Sequence, residues 1–200
     1  MTPREAVGKV VEAGVAKAGL PWWKMILLGI FAGMFIALAG VGATFGNLYG
    51  GKIVGACVCT AGLAMVVVAG SELFTGNNLM VMALFDGKIG FLKMMKNWIL
   101  VFIGNLIGAV FVAAAVSVSG LFDSVAETVV ATATAKVSMG FFEAVLRGVM
   151  CNFLVCIAVF MAFFADTTGG KIAAVFLPVM LFVLCGFEHS VANMFYVPAG

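Results

Sequence analysis

GSELFTGNN (residues 70–78) and GFEHSVANM (residues 186–194) are polar knots set in long apolar stretches. In each knot a glycine, a glutamate and an asparagine stand at offsets 0, 2 and 7: Gly70, Glu72 and Asn77, then Gly186, Glu188 and Asn193. A small residue precedes the asparagine both times, Gly76 and Ala192. Upstream, GIFAGMF from Gly29 resembles GVMCNFL from Gly148, at a separation of 119 residues against 116 for the knots. Two matches at nearly equal separation, each on the same kind of element, mark an internal duplication.

The surrounding composition says where the duplication lies. Of the 200 residues 64% are hydrophobic and 10% are charged, and the mean hydropathy is +1.21. A soluble domain carries about 25% charged residues, so this chain has too little polar surface to face water all round and reads as an integral membrane protein. A net charge of +2 and the lack of a basic patch give no reason to expect a nucleic-acid partner. Cys57, Cys59, Cys151, Cys156 and Cys185 all lie in apolar stretches without metal-ligand spacing. They read as small core residues, and neither disulfides, nor a metal, nor a cofactor is expected.

A membrane-spanning helix needs about 20 apolar residues. Candidate spans are 25–46, 53–70, 98–118, 141–165 and 171–186, with short apolar tails after each knot that complete the helix before it. Residues 1–21 lack the apolar core of a signal peptide. Val7, Val10, Val11, Val15 and Ala18 recur there at helical spacing, opposite Arg4, Lys9 and Lys17, which predicts a short amphipathic helix on the cytoplasmic membrane surface. With the N-terminus cytoplasmic, Arg4, Lys9, Lys17, Lys24, Lys88, Lys93, Lys96 and Lys171 fall inside, against Lys52, Lys136 and Arg147 outside, as the positive-inside rule requires.

Three spans per half is an odd number, so the second copy enters the membrane upside down. The chain divides into the segment 1–24, a first transmembrane repeat at 25–118, an extracytoplasmic linker at 119–140 and a second repeat at 141–200. Inverted repeats with broken helices at the midplane are a transporter architecture, and non-helical backbone at that depth is tolerated only beside protein or a water-filled path. The knots are thus expected to break helices two and five and to line a substrate path. The second half lacks a counterpart of the third span, so a sixth span is expected in the natural protein, with this chain a fragment of it.

The motifs GSELFTGN, KNWILVFIGNLIGA (96–109), RGVMCNFLVCIAVFMA (147–162) and GFEHSVANMFYVP (186–198) resemble the formate/nitrite transporter family, and among its branches the hydrosulfide-ion channels. The resemblance implies an all-α, aquaporin-like inverted repeat, a homopentamer in the inner membrane of a bacterium, and a pore through each protomer for hydrosulfide, formate or nitrite. It places His189 at the pore centre and Thr75 on a mobile loop that can hydrogen-bond it. It maps a pore-facing asparagine to Asn152, an outer-vestibule lysine to Lys136, and apolar constrictions to Leu63, Leu73 and Val155 on the cytoplasmic side and Phe182 on the periplasmic side. Cys59 stands where formate channels often carry a phenylalanine.

The residues carry a reading of their own beside that. His189 is the one histidine, and an ionisable side chain within a membrane is a functional candidate by default. Its imidazole can attract an anion or exchange a proton with it. Thr75 can cap the half-helix after the break. Glu72 and Glu188 are expected to accept hydrogen bonds from freed backbone N–H groups, with Asn77 and Asn193 stitching the break in the same way. Half-helix N-termini would present unpaired N–H groups to an anion. Plain helix packing is the competing account of the apolar constrictions. A bare anion crossing a dry apolar ring costs several kcal/mol or more, and a weak-acid anion lowers that cost by taking a proton transiently. A proton-coupled symporter fits the same residues. A membrane enzyme would need a metal cluster or a nucleophile with its base, a water or glycerol pore would show paired NPA motifs, and a scaffold would have no use for ionisable groups at midplane breaks.

Overall fold

The computed structural model describes residues 2–200. Among them the secondary structure is helical throughout: α1 Pro3–Ala18, α2 Trp22–Ala69, α3 Phe74–Asn77, α4 Met80–Phe85, α5 Phe91–Val118, α6 Ala126–Val137, α7 Phe141–Ala162, α8 Thr168–Cys185 and α9 Ser190–Ala199. Four of these helices are long and apolar enough to cross a membrane.

The 48 residues of α2 would run to about 70 Å as a straight helix, more than twice a bilayer's hydrocarbon core. The helix instead folds back at Gly51, whose φ of 77° and ψ of 176° lie outside helical space. A Cβ on Gly46 would lie 3.0 Å from Gly55, one on Gly42 2.8 Å from Val58 and one on Gly62 2.9 Å from Ala39. The two arms, 22–50 and 52–69, are therefore an antiparallel hairpin held close by small residues, and they correspond to the first two spans expected from the sequence. Gly51 sits in a region that only glycine occupies freely, and a Cβ there would touch nothing within 4 Å. Gly51→Ala is thus expected to cost about 1–3 kcal/mol through the backbone alone, read as a lower unfolding midpoint in detergent. An unchanged midpoint would mean that the turn relaxes at no cost.

The two breaks have the same construction. Gly70 (φ 69°, ψ 31°) and Gly186 (φ 78°, ψ 30°) end α2 and α8 in the left-handed conformation, which glycine adopts without strain. The next N–H bends back onto the helix in each copy, Ser71 N–H to Val66 O at 3.1 Å and Phe187 N–H to Phe182 O at 3.0 Å. The glutamate N–H is then taken by the helix alongside, Glu72 to Leu28 O at 3.2 Å and Glu188 to Arg147 O at 3.4 Å. Leu28 and Arg147 are 119 residues apart, the separation of the upstream match. Because three passes precede α6, the second copy runs inverted relative to the first.

In the first half α5 lies along the arm 22–50. A Cβ on Gly104 would come within 2.6 Å of Ile26 O, one on Gly29 within 3.0 Å of Val101 O, and Gly33 and Gly108 have still less room than Gly104. The Gly104–Gly108 pair thus serves packing within the chain. The residues 119 positions on from Ile26, Gly29, Ile30 and Gly33 are Val145, Gly148, Val149 and Asn152. They line an open groove of about 380 Å³ that also borders Phe74, Thr75 and His189.

The N-terminal segment is a helix, as its periodicity predicts, and it is docked. Thr2 caps it in a reciprocal pair with Glu5, and Ala6, Val10 and Gly14 are buried. A Cβ on Gly14 would meet the Cβ of Ala83 at 2.9 Å, so α1 packs against α4. The interval 119–140 holds a helix, α6, with Val129 and Ala133 buried.

Candidate functional site

The break after Gly186 delivers His189 into the middle of the fold, where it is 5% exposed. His189 is the N-cap of α9, and its Nδ1 accepts the Ala192 N–H at 3.0 Å. With Nδ1 occupied as an acceptor, the proton of the neutral ring belongs on Nε2. Nε2 lies 2.9 Å from Thr75 Oγ1, also buried, so Nε2–H donates to that oxygen. The Thr75 hydroxyl hydrogen is left free to donate elsewhere. The Phe182 ring lies over the imidazole, with centroids 5.8 Å apart and planes at 15°.

A small chamber adjoins the imidazole. Its lining includes Cys59, Leu63, Leu73, Val155, Phe182 and His189, so four of the residues picked out as apolar constrictions meet His189 in one place. Its volume is about 20 Å³, room for roughly one water. Leu63 and Leu73 also line the next cavity, a vestibule of about 310 Å³ on the α1 side with Lys9, Lys17, Ser71, Asn77 and Lys171 on its walls. Those two leucines are the partition between vestibule and chamber. On the opposite side Glu127, Lys136, Glu143, Arg147 and Glu188 border a funnel of about 850 Å³.

Lys136 and Asn152 lie outside the chamber. The Lys136 ammonium is 2.7 Å from Glu188 Oε2 and 5.2 Å from the centre of the Tyr196 ring. Asn152 faces the groove, and its Nδ2 lies 3.7 Å from Cys156 Sγ, which in turn lies 3.7 Å from the Thr75 carbonyl oxygen.

Three local expectations change. Thr75 caps nothing: it lies inside α3, whose N-cap is Leu73 without a side-chain bond. The capping side chain is the one from His189, in the other half. Glu72 and Glu188 do not collect backbone N–H groups, because neighbouring helices supply other partners. Glu72 takes Lys17 Nζ at 2.7 Å and Asn77 Nδ2 at 2.7 Å; Glu188 takes Lys136 Nζ at 2.7 Å and Asn193 Nδ2 at 2.9 Å. Each asparagine therefore ties its half-helix to the glutamate side chain. The half-helix N–H groups are also partly spoken for, since Phe74 N–H goes to Asn105 Oδ1 at 2.9 Å and Ala192 N–H to His189.

Two contributors lay outside the sequence-based set. Lys17 is the counterpart of Lys136 at the 119-residue separation, and that offset was the signal that could have found it. Asn105 is fully buried and bonds Gly29 O, Glu72 O and Phe74 N–H at 2.8–2.9 Å. A partly buried ion pair in each half neutralises a break carboxylate that would otherwise be costly to desolvate.

A family model described as Formate/nitrite transporter matches residues 4–200. The formate channel FocA of Haemophilus influenzae is 39% identical over 214 residues, covering 100% of this chain and 74% of its own length. A protein of Bacillus subtilis named Uncharacterized transporter YrhG is 40% identical over 210 residues, covering 98% and 78%. A solved structure described as a pentameric formate channel with formate bound superposes with a TM-score of 0.79 at 33% identity, over 89% of this chain and 74% of that one.

Proposed function

Because the chain belongs to the formate/nitrite transporter family, a family of transporters and not of enzymes, we propose that it conducts small monovalent weak-acid anions, with formate the first substrate. The route runs from the α1-side vestibule through the Leu63–Leu73 partition, past His189 and Thr75, to the α6-side funnel. The observation that carries this reading is His189 on the chamber wall with Thr75, which lines the adjoining groove, hydrogen-bonded to its Nε2. The imidazole directs its proton to Oγ1, so the Thr75 O–H points its own hydrogen at an arriving oxyanion. That donor offsets part of the dehydration cost of crossing the apolar rings. A chamber with room for one water does not admit formate, so conduction includes a displacement of Leu63 or of the break segment that carries Leu73 and Thr75.

Formate is favoured by the named activity of the FocA relative. Hydrosulfide is the second reading, favoured by the small Cys59 side chain on the chamber wall. The chain assembles as a homopentamer like the solved formate channel that it resembles. It lies in a bacterial inner membrane with the α1 side cytoplasmic, in keeping with eight Lys and Arg residues assigned to that side against three.

Stopped-flow light scattering of proteoliposomes tests the proposal with formate, nitrite, hydrosulfide and chloride in parallel. Formate and nitrite should enter well above protein-free vesicles, with chloride excluded. Hydrosulfide as the fastest anion would move the chain to the hydrosulfide branch. Absence of protein-dependent flux for every weak-acid anion would overturn the channel reading.

A further inference from the structure

The α1-side vestibule holds three ammonium groups, on Lys9, Lys17 and Lys171. Two have carboxylates: Lys17 Nζ is 2.7 Å from Glu72 Oε1, and Lys9 Nζ is 4.0 Å from Asp166 Oδ1. Lys171 makes no ion pair among the described residues, although it is half-buried. It stands in the first turn of α8, after the Thr167 cap that holds the Gly170 N–H. The positive end of a helix disfavours a cation by about 0.3–1 kcal/mol. Local structure therefore gives Lys171 neither a partner nor a favourable field. Much of the remaining lining is apolar, including Val66, Val67, Val159, Ala162 and Phe163, and low-dielectric walls focus the field of an unneutralised charge into the recess.

We infer that Lys171 is the capture site for the permeant anion on the α1 side of the pore, the charge that draws it into the vestibule before the Leu63–Leu73 partition. The inference rests on the reading of the chain as an anion channel and assigns a division of labour within it. Lys17 is tied up in holding Glu72 and, through it, the break. Lys9 joins α1 to the segment before α8. Lys9 is half-exposed at the rim, where solvent screens it, so Lys171 is the half-buried ammonium with its charge to spare for the substrate. Such a residue sets the anion concentration at the mouth and the salt dependence of capture, and it leaves the crossing of the partition unchanged.

The test is sided formate flux in vesicles of known protein orientation, comparing Lys171→Gln, Lys171→Arg and Lys93→Gln. Lys93 is exposed and outside the vestibule lining, so its replacement matches the change in net charge. At ionic strength near 10 mM, Lys171→Gln should raise the half-saturating formate concentration for flux starting on the α1 side by about three- to tenfold. Maximal flux should stay the same, Lys171→Arg should behave as wild type, and the difference should nearly vanish near 0.5 M salt. Lys171→Gln indistinguishable from Lys93→Gln, or an equal loss in both directions at all salt concentrations, would overturn the inference. Wild-type flux separates the two failures: with flux intact only the role of Lys171 falls, and with no flux the channel reading falls first.

Discussion

Formate flux is expected to fall by about tenfold or more in His189→Ala, and His189→Asn should repair the fold without repairing the flux. The imidazole performs two separable tasks. Its Nδ1 accepts the Ala192 N–H and so starts α9, and its Nε2 serves Thr75 Oγ1. Alanine deletes both. Losing an N-cap costs roughly 0.5–2 kcal/mol, and asparagine is among the best caps, so the unfolding midpoint should drop in His189→Ala and return in His189→Asn. The short asparagine amide cannot cap Ala192 and also reach Thr75. A buried hydroxyl left without its donor partner loses about 1–3 kcal/mol, and each 1.4 kcal/mol on a barrier is tenfold in rate. Initial rates by stopped-flow and midpoints in detergent, on the same preparations, distinguish the two tasks. Full flux in His189→Asn would reduce His189 to a helix cap and remove the centre from the proposed route.

How much of this was legible in the sequence follows from the range of the interactions. The offsets of glycine, glutamate and asparagine in the two knots are local, and local spacing marked both breaks; the inverted arrangement followed from the odd number of spans per half. The lone histidine in an apolar run picked out the side chain that the structure buries against Thr75. The partners of Glu72 and Glu188 were harder, because Lys17 and Lys136 lie 55 and 52 residues upstream of their carboxylates. Lys17 looked like one more cation on an amphipathic face. Only the 119-residue offset, carried back beyond Gly29, pairs it with Lys136, and that makes α1 the counterpart of α6. The hairpin turn at Gly51 was legible as two spans but not as one glycine-only dihedral, since Gly50 and Gly51 are indistinguishable by composition. Thr75 misled because a hydroxyl near a helix start is usually a cap; here α3 is a single turn whose N–H is met by a side chain from α5.

That side chain, Asn105, carries the other large effect, and here hydropathy and geometry predict opposite signs. Asn105→Leu swaps an amide for an apolar group of similar volume within a membrane-spanning helix, which hydropathy alone scores as stabilising. The structure predicts the reverse. Asn105 is 0% exposed; its Nδ2 donates to Gly29 O at 2.8 Å and to Glu72 O at 2.9 Å, while its Oδ1 accepts the Phe74 N–H at 2.9 Å. Gly29 O lies within a helix and keeps other options. Glu72 O and Phe74 N–H belong to broken backbone, with no helical partner. Each orphaned group costs about 1–3 kcal/mol, so a net loss of roughly 2–5 kcal/mol is expected after the apolar gain of leucine. The midpoint in detergent should fall by several degrees, and formate flux should fall with it, because the untethered segment carries Leu73 of the partition and Thr75 of the centre. Leu106→Ala, one residue along on the partly exposed face of the same helix, should change neither by much. An Asn105→Leu protein as stable as wild type would show that water or a shifted backbone satisfies the break, and that the amide of Asn105 is dispensable to it.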